Sequence, residues 1–154
     1  MSCKPVLVEL RQVSKTYRMG DTHLSALRDV NLSIAEGEFV AISGPSGSGK
    51  STLLNLIAGI DKPTSGRIVV AGAPVSEMDE NSLAKWRGQN VGLVFQFFQL
   101  LPTLTALENV VLPMDFRGSY NGQRRERALE LLARIGMAAR AHHLPAELSG
   151  GEQQ

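Results

Sequence analysis

Residues 44–51 read Gly-Pro-Ser-Gly-Ser-Gly-Lys-Ser. They satisfy G-x-x-x-x-G-K-[ST], a phosphate-loop motif that requires a strand before it and a helix after it. The flanking residues meet both requirements. Residues 38–42 are a short apolar run between Glu36-Gly37 and Gly44, the pattern of a buried strand. After Lys50, the residues Leu53, Leu54, Leu56, Ile57 and Ala58 continue as an apolar helix that Gly59 is placed to cap.

The chemistry follows from the residue types. Gly44, Gly47 and Gly49 allow backbone conformations in which several N–H groups converge on phosphate oxygens. Pro45, Ser46 and Ser48 complete the loop. The start of the helix adds its partial positive charge, and Lys50 adds a mobile point charge for the terminal phosphates. The Ser51 hydroxyl is the natural ligand of a phosphate-bound Mg²⁺, and Thr52 begins the body of the helix. The segment is expected to bind a nucleoside triphosphate with its metal.

Bulk properties exclude several other classes. The chain has 154 residues, 43% of them hydrophobic and 20% charged, ordinary for a globular domain with a core. A net charge of +1 gives no electrostatic case for nucleic acid as a partner. Arg124, Arg125 and Arg127 are the one dense basic cluster and read as a solvated helix face. The single cysteine, Cys3, allows no disulfide framework. No run approaches the ~18 apolar residues of a membrane span, so a membrane connection is expected to come through a partner.

Along the chain, residues 6–13 read as a strand followed by Ser14-Lys15-Thr16-Tyr17 and a polar loop. Residues 26–34 read as a second strand, an antiparallel start. Residues 61–66 are dense turn chemistry leading into a strand over 67–70. Residues 81–87 suit a short helix with Leu83 and the packing residue Trp86 on one side, and residues 91–95 suit a buried strand ending at Gln96. Thr105 is expected to cap a helix that runs to about Leu112 and is ended by Pro113. Residues 123–135 form the clearest amphipathic helix, with Ala128, Leu131, Leu132 and Ile135 inward, a Glu130–Arg134 pair outward and Gly136 as the stop. His142 and His143, with no cysteine or carboxylate at ligand spacing, read as surface residues.

Two longer stretches carry a resemblance. They are Gly47-Ser48-Gly49-Lys50-Ser51-Thr52-Leu53-Leu54-Asn55-Leu56-Ile57-Ala58-Gly59 and Leu100-Leu101-Pro102-Thr103-Leu104-Thr105-Ala106-Leu107-Glu108-Asn109-Val110. With Leu148-Ser149-Gly150-Gly151-Glu152-Gln153-Gln154, they resemble the nucleotide-binding domain of ATP-binding cassette (ABC) transporters over essentially the whole chain. The resemblance is strongest to the lipoprotein-release and macrolide-export subgroup. It implies an α/β P-loop NTPase fold with an N-terminal antiparallel β subdomain and a helical subdomain. The expected divisions are 1–95 for the core, 96–147 for the glutamine loop and helical subdomain, and 148–154 for the signature motif.

The resemblance also assigns roles. Tyr17 corresponds to the aromatic residue that stacks on adenine, and Gln96 to the glutamine that reaches Mg²⁺ and the attacking water. Lys50 and Gln96 are thus the expected catalytic residues, and Ser51 and Gln96 the expected metal ligands. Ser149, Gly150 and Gly151 match the signature that closes on ATP held by a second ATP-binding subunit in a head-to-tail dimer. Phe97, Phe98, Leu100 and Leu101 fall where a membrane-spanning permease subunit docks, which implies a cytoplasmic location peripheral to the inner face of the membrane. No nucleic-acid partner is expected, because the short interval between Gln96 and Leu148 leaves no room for the coiled-coil insertion of DNA-repair members.

Family members continue after the signature into a strand bearing the Mg²⁺-binding aspartate, a catalytic glutamate and a switch histidine. None of these falls within residues 1–154, so the C-terminal part of the core sheet is expected to be missing. This chain alone is expected to bind ATP without appreciable hydrolysis, with Val40 and Ile42 short of a neighbouring strand and stability marginal.

Overall fold

The computed structural model describes residues 4–95 and 97–154, which form two compact units divided after Val91. Cys3 and Gln96 lie outside the described residues.

The first unit is built on a long hairpin, β1 (Val6–Met19) and β2 (Thr22–Ala35), turned at Gly20-Asp21. Both strands run well beyond the sequence expectation. Residues 14–17, expected to follow a strand, are part of β1, where Thr16, Tyr17 and Arg18 pair with Ser25, Leu24 and His23. Hydrogen bonding between two partners holds a polar stretch extended that periodicity alone reads as loop. The strand β3 (Ser65–Val70) adds to the other edge of β1, giving an antiparallel sheet in the order β2-β1-β3.

A bulge decides which β1 residues face the core. Val8 and Leu10 are buried at period two, but the next core residue is Val13, fully buried. The pairing with both neighbours shifts between Leu10 and Ser14, and Gln12 has φ of 50° there. One extra residue moves the odd positions onto the face the even ones held. The Gln12 amide left over by the ladder donates to Asn31 Oδ1 at 2.9 Å.

Two helices join the sheet in this unit. In α1 (Lys50–Ile57), Leu56 is buried, and the helix ends at Ala58 with Gly59 in the left-handed region at φ 67°. A methyl at Gly59 would meet Leu83 Cδ1 at 2.8 Å. In α2 (Glu80–Asn90), Leu83 and Trp86 face the core as expected, Asp79 caps the start, and Arg87 Nη1 donates to Gly59 O at 2.5 Å. The core joins Val8, Leu10, Val13, Leu27, Leu56, Ile68, Val70, Val75, Leu83 and Trp86. Each full burial of a Leu or Ile side chain there contributes about 2 kcal/mol.

Two expected strands are corrected. Neither residues 38–42 nor residues 91–95 adopt strand structure. A buried parallel strand exists only through its ladder partners. The three-stranded sheet bonds to neither segment, and Phe39 and Val94 stand 99% and 89% exposed.

The second unit pairs α3 (Ala106–Arg117) with α4 (Arg124–Arg134) around Leu107, Met114, Ala128, Leu132 and Ala141. Thr105 caps α3 in a reciprocal box with Glu108, and Asn109 Nδ2 donates to the carbonyls of Leu101, Leu104 and Thr105. Pro113 does not end the helix, which continues to Arg117 and Gly118. The turn beyond the proline carries Met114, buried in the core, and that packing outweighs the lost hydrogen bond.

The inward face of α4 also needs one correction. Ala128 and Leu132 are buried, but Ile135 is 69% exposed. The helix stops at Arg134, and Gly136 at φ 76° reverses the chain, with Gly136 N donating to Ala133 O and Met137 N to Leu132 O. This cap delivers Met137 to the core in place of Ile135. On the outer face Glu130 pairs with Arg127 at 2.8 Å rather than with Arg134, and Arg124 bridges to Asp115 at 2.7 Å.

Candidate nucleotide site

The phosphate loop begins at Gly44 and enters α1 at Lys50. Its glycines are required by geometry at two positions. Gly44 has φ 154°, and a Cβ there would meet Ser48 Oγ at 2.9 Å. Gly49 caps α1 at φ 88°, and a Cβ would collide with Ala26 O of β2 at 2.5 Å and with Leu27 Cδ2 at 3.0 Å. The missing side chain thus lets the loop sit directly against the hairpin. Lys50 Nζ arches over the loop and donates to Gly44 O at 2.9 Å, Pro45 O at 2.7 Å and Ser48 Oγ at 3.3 Å.

A cleft of about 580 Å³ opens here, lined by Ser46, Gly47, Gly49, Lys50, Ser51 and Thr52 on one element and by Tyr17, Leu24, Ser25 and Ala26 of the hairpin on the other. The fold therefore brings Tyr17 to the loop across a long sequence interval. The donor set fits a nucleoside triphosphate and its metal. Glycines leave room for main-chain amides, one ammonium stands at the loop, and one hydroxyl opens the helix. No cluster of three or more His, Cys, Asp or Glu side chains suited to a metal occurs among the described residues. Mg²⁺ accompanying a bound nucleotide would take the Ser51 hydroxyl as its ligand from this loop.

Sequence reasoning missed the surroundings of Tyr17. Its hydroxyl donates to Asp61 Oδ2 at 2.8 Å, and Lys15 Nζ donates to Asp61 Oδ1 at 2.6 Å while lying 4.9 Å from the ring centroid. Partial burial raises the Asp61 pKa, but hydrogen bonds from Lys15, Tyr17 and the Lys62 amide outweigh it and the net shift is downward. The spacing of Lys15 and Tyr17 on one strand was the available signal.

In the other unit, Ser149 caps α5 (Gly150–Gln153). Its amide and hydroxyl each donate to Glu152 Oε2 at 2.8 Å, and Arg140 Nε donates to Glu152 Oε1 at 3.2 Å. Leu148 is buried just before it, and Gln153 Nε2 donates to Pro145 O and Leu148 O. Gly150 and Gly151 have open space where a Cβ would stand. Of the apolar residues after Gln96, Phe97, Phe98 and Leu101 are 74%, 41% and 45% exposed, while Leu100 is half-buried. His142 is exposed and His143 half-buried.

The two capping carboxylates predict an acid response. Hydrogen bonds from the Thr105 amide and hydroxyl hold Glu108 below its ordinary value of 4.5, and those from the Ser149 amide and hydroxyl, with Arg140, do the same for Glu152. A depressed carboxylate stabilises the folded state above its unfolded pKa and loses that contribution as pH falls through the folded value. The side-chain carboxyl resonances of Glu108 and Glu152 should titrate with midpoints below 4.5, with α3 and α5 fraying over the same interval. Midpoints at or above 4.5 would contradict these boxes.

Residues 27–154 match the family described as ABC transporter. The chain belongs to the ABC transporter family. It is 51% identical to the ABC transporter ATP-binding protein MJ0796 of Methanocaldococcus jannaschii, a match covering 96% of this chain and 65% of that one. It is 49% identical to the macrolide export ATP-binding/permease protein MacB of Hyphomonas neptunium, over 97% of this chain and 23% of MacB. A dimeric structure of the MJ0796 cassette in a post-hydrolysis state, bound to ADP and Pi, superposes with a TM-score of 0.87 at 50% identity, covering 96% of this chain and 65% of that one. The chain thus spans less than two thirds of the length of the relatives it matches, and its α/β fold is that of an ABC ATPase cassette.

Proposed function

We propose that this ABC-family chain binds Mg·ATP in the cleft of its first unit and serves as the ATP-binding part of a transporter that exports or releases a substrate through membrane subunits. The observation that carries this reading is a cleft lined both by Tyr17 and by Ser46, Gly47, Gly49, Lys50, Ser51 and Thr52. In it, Tyr17 stacks on the base, residues 44–52 hold the phosphates, Lys50 neutralises them, and Ser51 would hold the metal; the metal-ligand role that the resemblance gives Gln96 falls outside the described residues. Ser149, Gly150 and Gly151 serve the nucleotide of a second ATP-binding subunit arranged head to tail. The relatives support this coarse assignment: MacB is named for macrolide export, and the MJ0796 cassette was solved as a dimer with ADP and Pi.

The exposed Phe97, Phe98 and Leu101 are assigned to the permease contact, because an apolar patch needs a covering partner. No helix among the described residues is long and apolar enough to cross a membrane. The protein is therefore assigned to the inner membrane face by that contact.

Turnover is a separate matter. Hydrolysis needs a group to position or deprotonate water, and the described cleft residues include no carboxylate. The chain alone is proposed to bind without hydrolysing, as a nucleotide-binding module. Calorimetry with Mg·ATP should give saturable binding, and a phosphate-release assay should match the background of Lys50→Ala. Absence of binding heat would overturn the assignment, and turnover abolished by Lys50→Ala would overturn the non-hydrolytic part.

A further inference from the structure

Asp61 follows α1 in a stretch that reads as an ordinary turn, yet it is the hub of a compact polar network. Its Oδ1 accepts from Lys15 Nζ at 2.6 Å and from its neighbour's amide, Lys62 N, at 2.7 Å; its Oδ2 accepts from the Tyr17 hydroxyl at 2.8 Å. Lys15 Nζ donates a second bond to Lys62 O at 2.7 Å and lies 4.9 Å from the Tyr17 ring centroid. The Lys15 side chain is only 13% exposed, unusually sheltered for an ammonium.

We propose that Lys15 and Asp61 act as a positioning clamp on Tyr17, holding its ring so that the face away from the Lys15 ammonium is presented to the nucleotide base. The inference rests on the reading of the cleft as a nucleotide site and adds residues that reading does not contain.

The physical case has three parts. A tyrosine ring is placed by two torsions, and anchoring the hydroxyl at one end while an ammonium occupies one face restrains both. A platform ordered before binding avoids the side-chain entropy that a free ring would lose when a base stacks on it. The ammonium and carboxylate also compensate each other, so the clamp orders the ring without adding net charge beside it. Asp61 lies just beyond the C-terminus of α1, and Lys50 and Ser51 open the same helix. The ring and the phosphate-binding residues are therefore referred to the two ends of one rigid element.

A purely structural ion pair joining β1 to the segment after α1 would show the same distances, so the test must separate base from phosphate binding. Affinities of the protein for Mg·ATP and for Mg·tripolyphosphate, which has no base, are measured by calorimetry for the parent, Asp61→Ala, Tyr17→Phe and the double variant. Each single variant should lose about fivefold in Mg·ATP affinity, the worth of one hydrogen bond. Mg·tripolyphosphate affinity should stay within about twofold of the parent, the size of a neutral surface change. The double variant should be no weaker than the weaker single, since both changes remove the same anchor on the Tyr17 hydroxyl.

Equal losses for both probes, unchanged Mg·ATP affinity, or additive losses would overturn the clamp while leaving nucleotide binding intact. Should Asp61→Ala fail to fold, Tyr17→Phe decides alone, because it removes only one oxygen and keeps the stacking ring. A parent protein that binds neither probe would overturn the nucleotide reading, and the clamp with it.

Discussion

Lys50→Ala is expected to lower affinity for Mg·ATP by about a hundredfold or more, with the fold intact. Nothing else among the cleft-lining residues is positively charged, and its ammonium already reaches the loop carbonyls of Gly44 and Pro45. Charge-assisted hydrogen bonds contribute about 1.5–3 kcal/mol each. Losing two of them to phosphate oxygens amounts to about 3 kcal/mol or more, or two decades of affinity. The same side chain anchors no core residue, so the thermal midpoint should move by less than about 3 °C. Titration calorimetry and a melting curve on one preparation check both parts. An affinity within threefold of the parent would show that the Lys50 ammonium does not grip phosphate at this loop.

Gly66→Ala should have the largest effect on stability. Gly66 sits in β3 at φ 89°, opposite the β1 bulge, and a Cβ there would stand 2.3 Å from Gln12 O and 2.6 Å from Val13 Cα. These neighbours are backbone, so no rotamer change relieves the clash. Forcing a side chain into the left-handed region costs about 1–2 kcal/mol, and overpacking adds about 1–3. A total near 3 kcal/mol should lower the thermal midpoint of the first unit by about 10 °C or more. A midpoint within about 2 °C of the parent would mean that β1 and β3 are not tied at this point, since surface substitutions move it no further. The bulge places Val13 inward and Lys15 and Tyr17 two and four residues beyond it, so the glycine and the cleft share one structural cause.

The legible parts of the chain were those whose signals are local. The cap at Thr105, the stop at Gly136 and the packing role of Trp86 are each written within one turn of helix, and each is found. The parts that misled depend on distant partners. Residues 38–42 and 91–95 have strand composition, but a strand needs a ladder, and the sheet among the described residues offers them none. Pro113 reads as a stop only until Met114 is seen to be buried beyond it. Ile135 fits the helical period, but the glycine after it turns the chain before that period can place it inward.

Sequence alone determined the phosphate loop, its helix and the family, because a glycine loop with one lysine and one serine is a contiguous device whose function is carried by main-chain amides and residue type. It also named Tyr17 as the aromatic partner, by resemblance. Tertiary structure decided that Tyr17, Ser25 and Ala26 share a cleft with that loop, and that Lys15 and Asp61 grip the tyrosine. Those contacts join residues far apart in the chain through strand pairing, a one-residue bulge and the length of a helix. No window of sequence contains such a distance, so only the folded chain can display it.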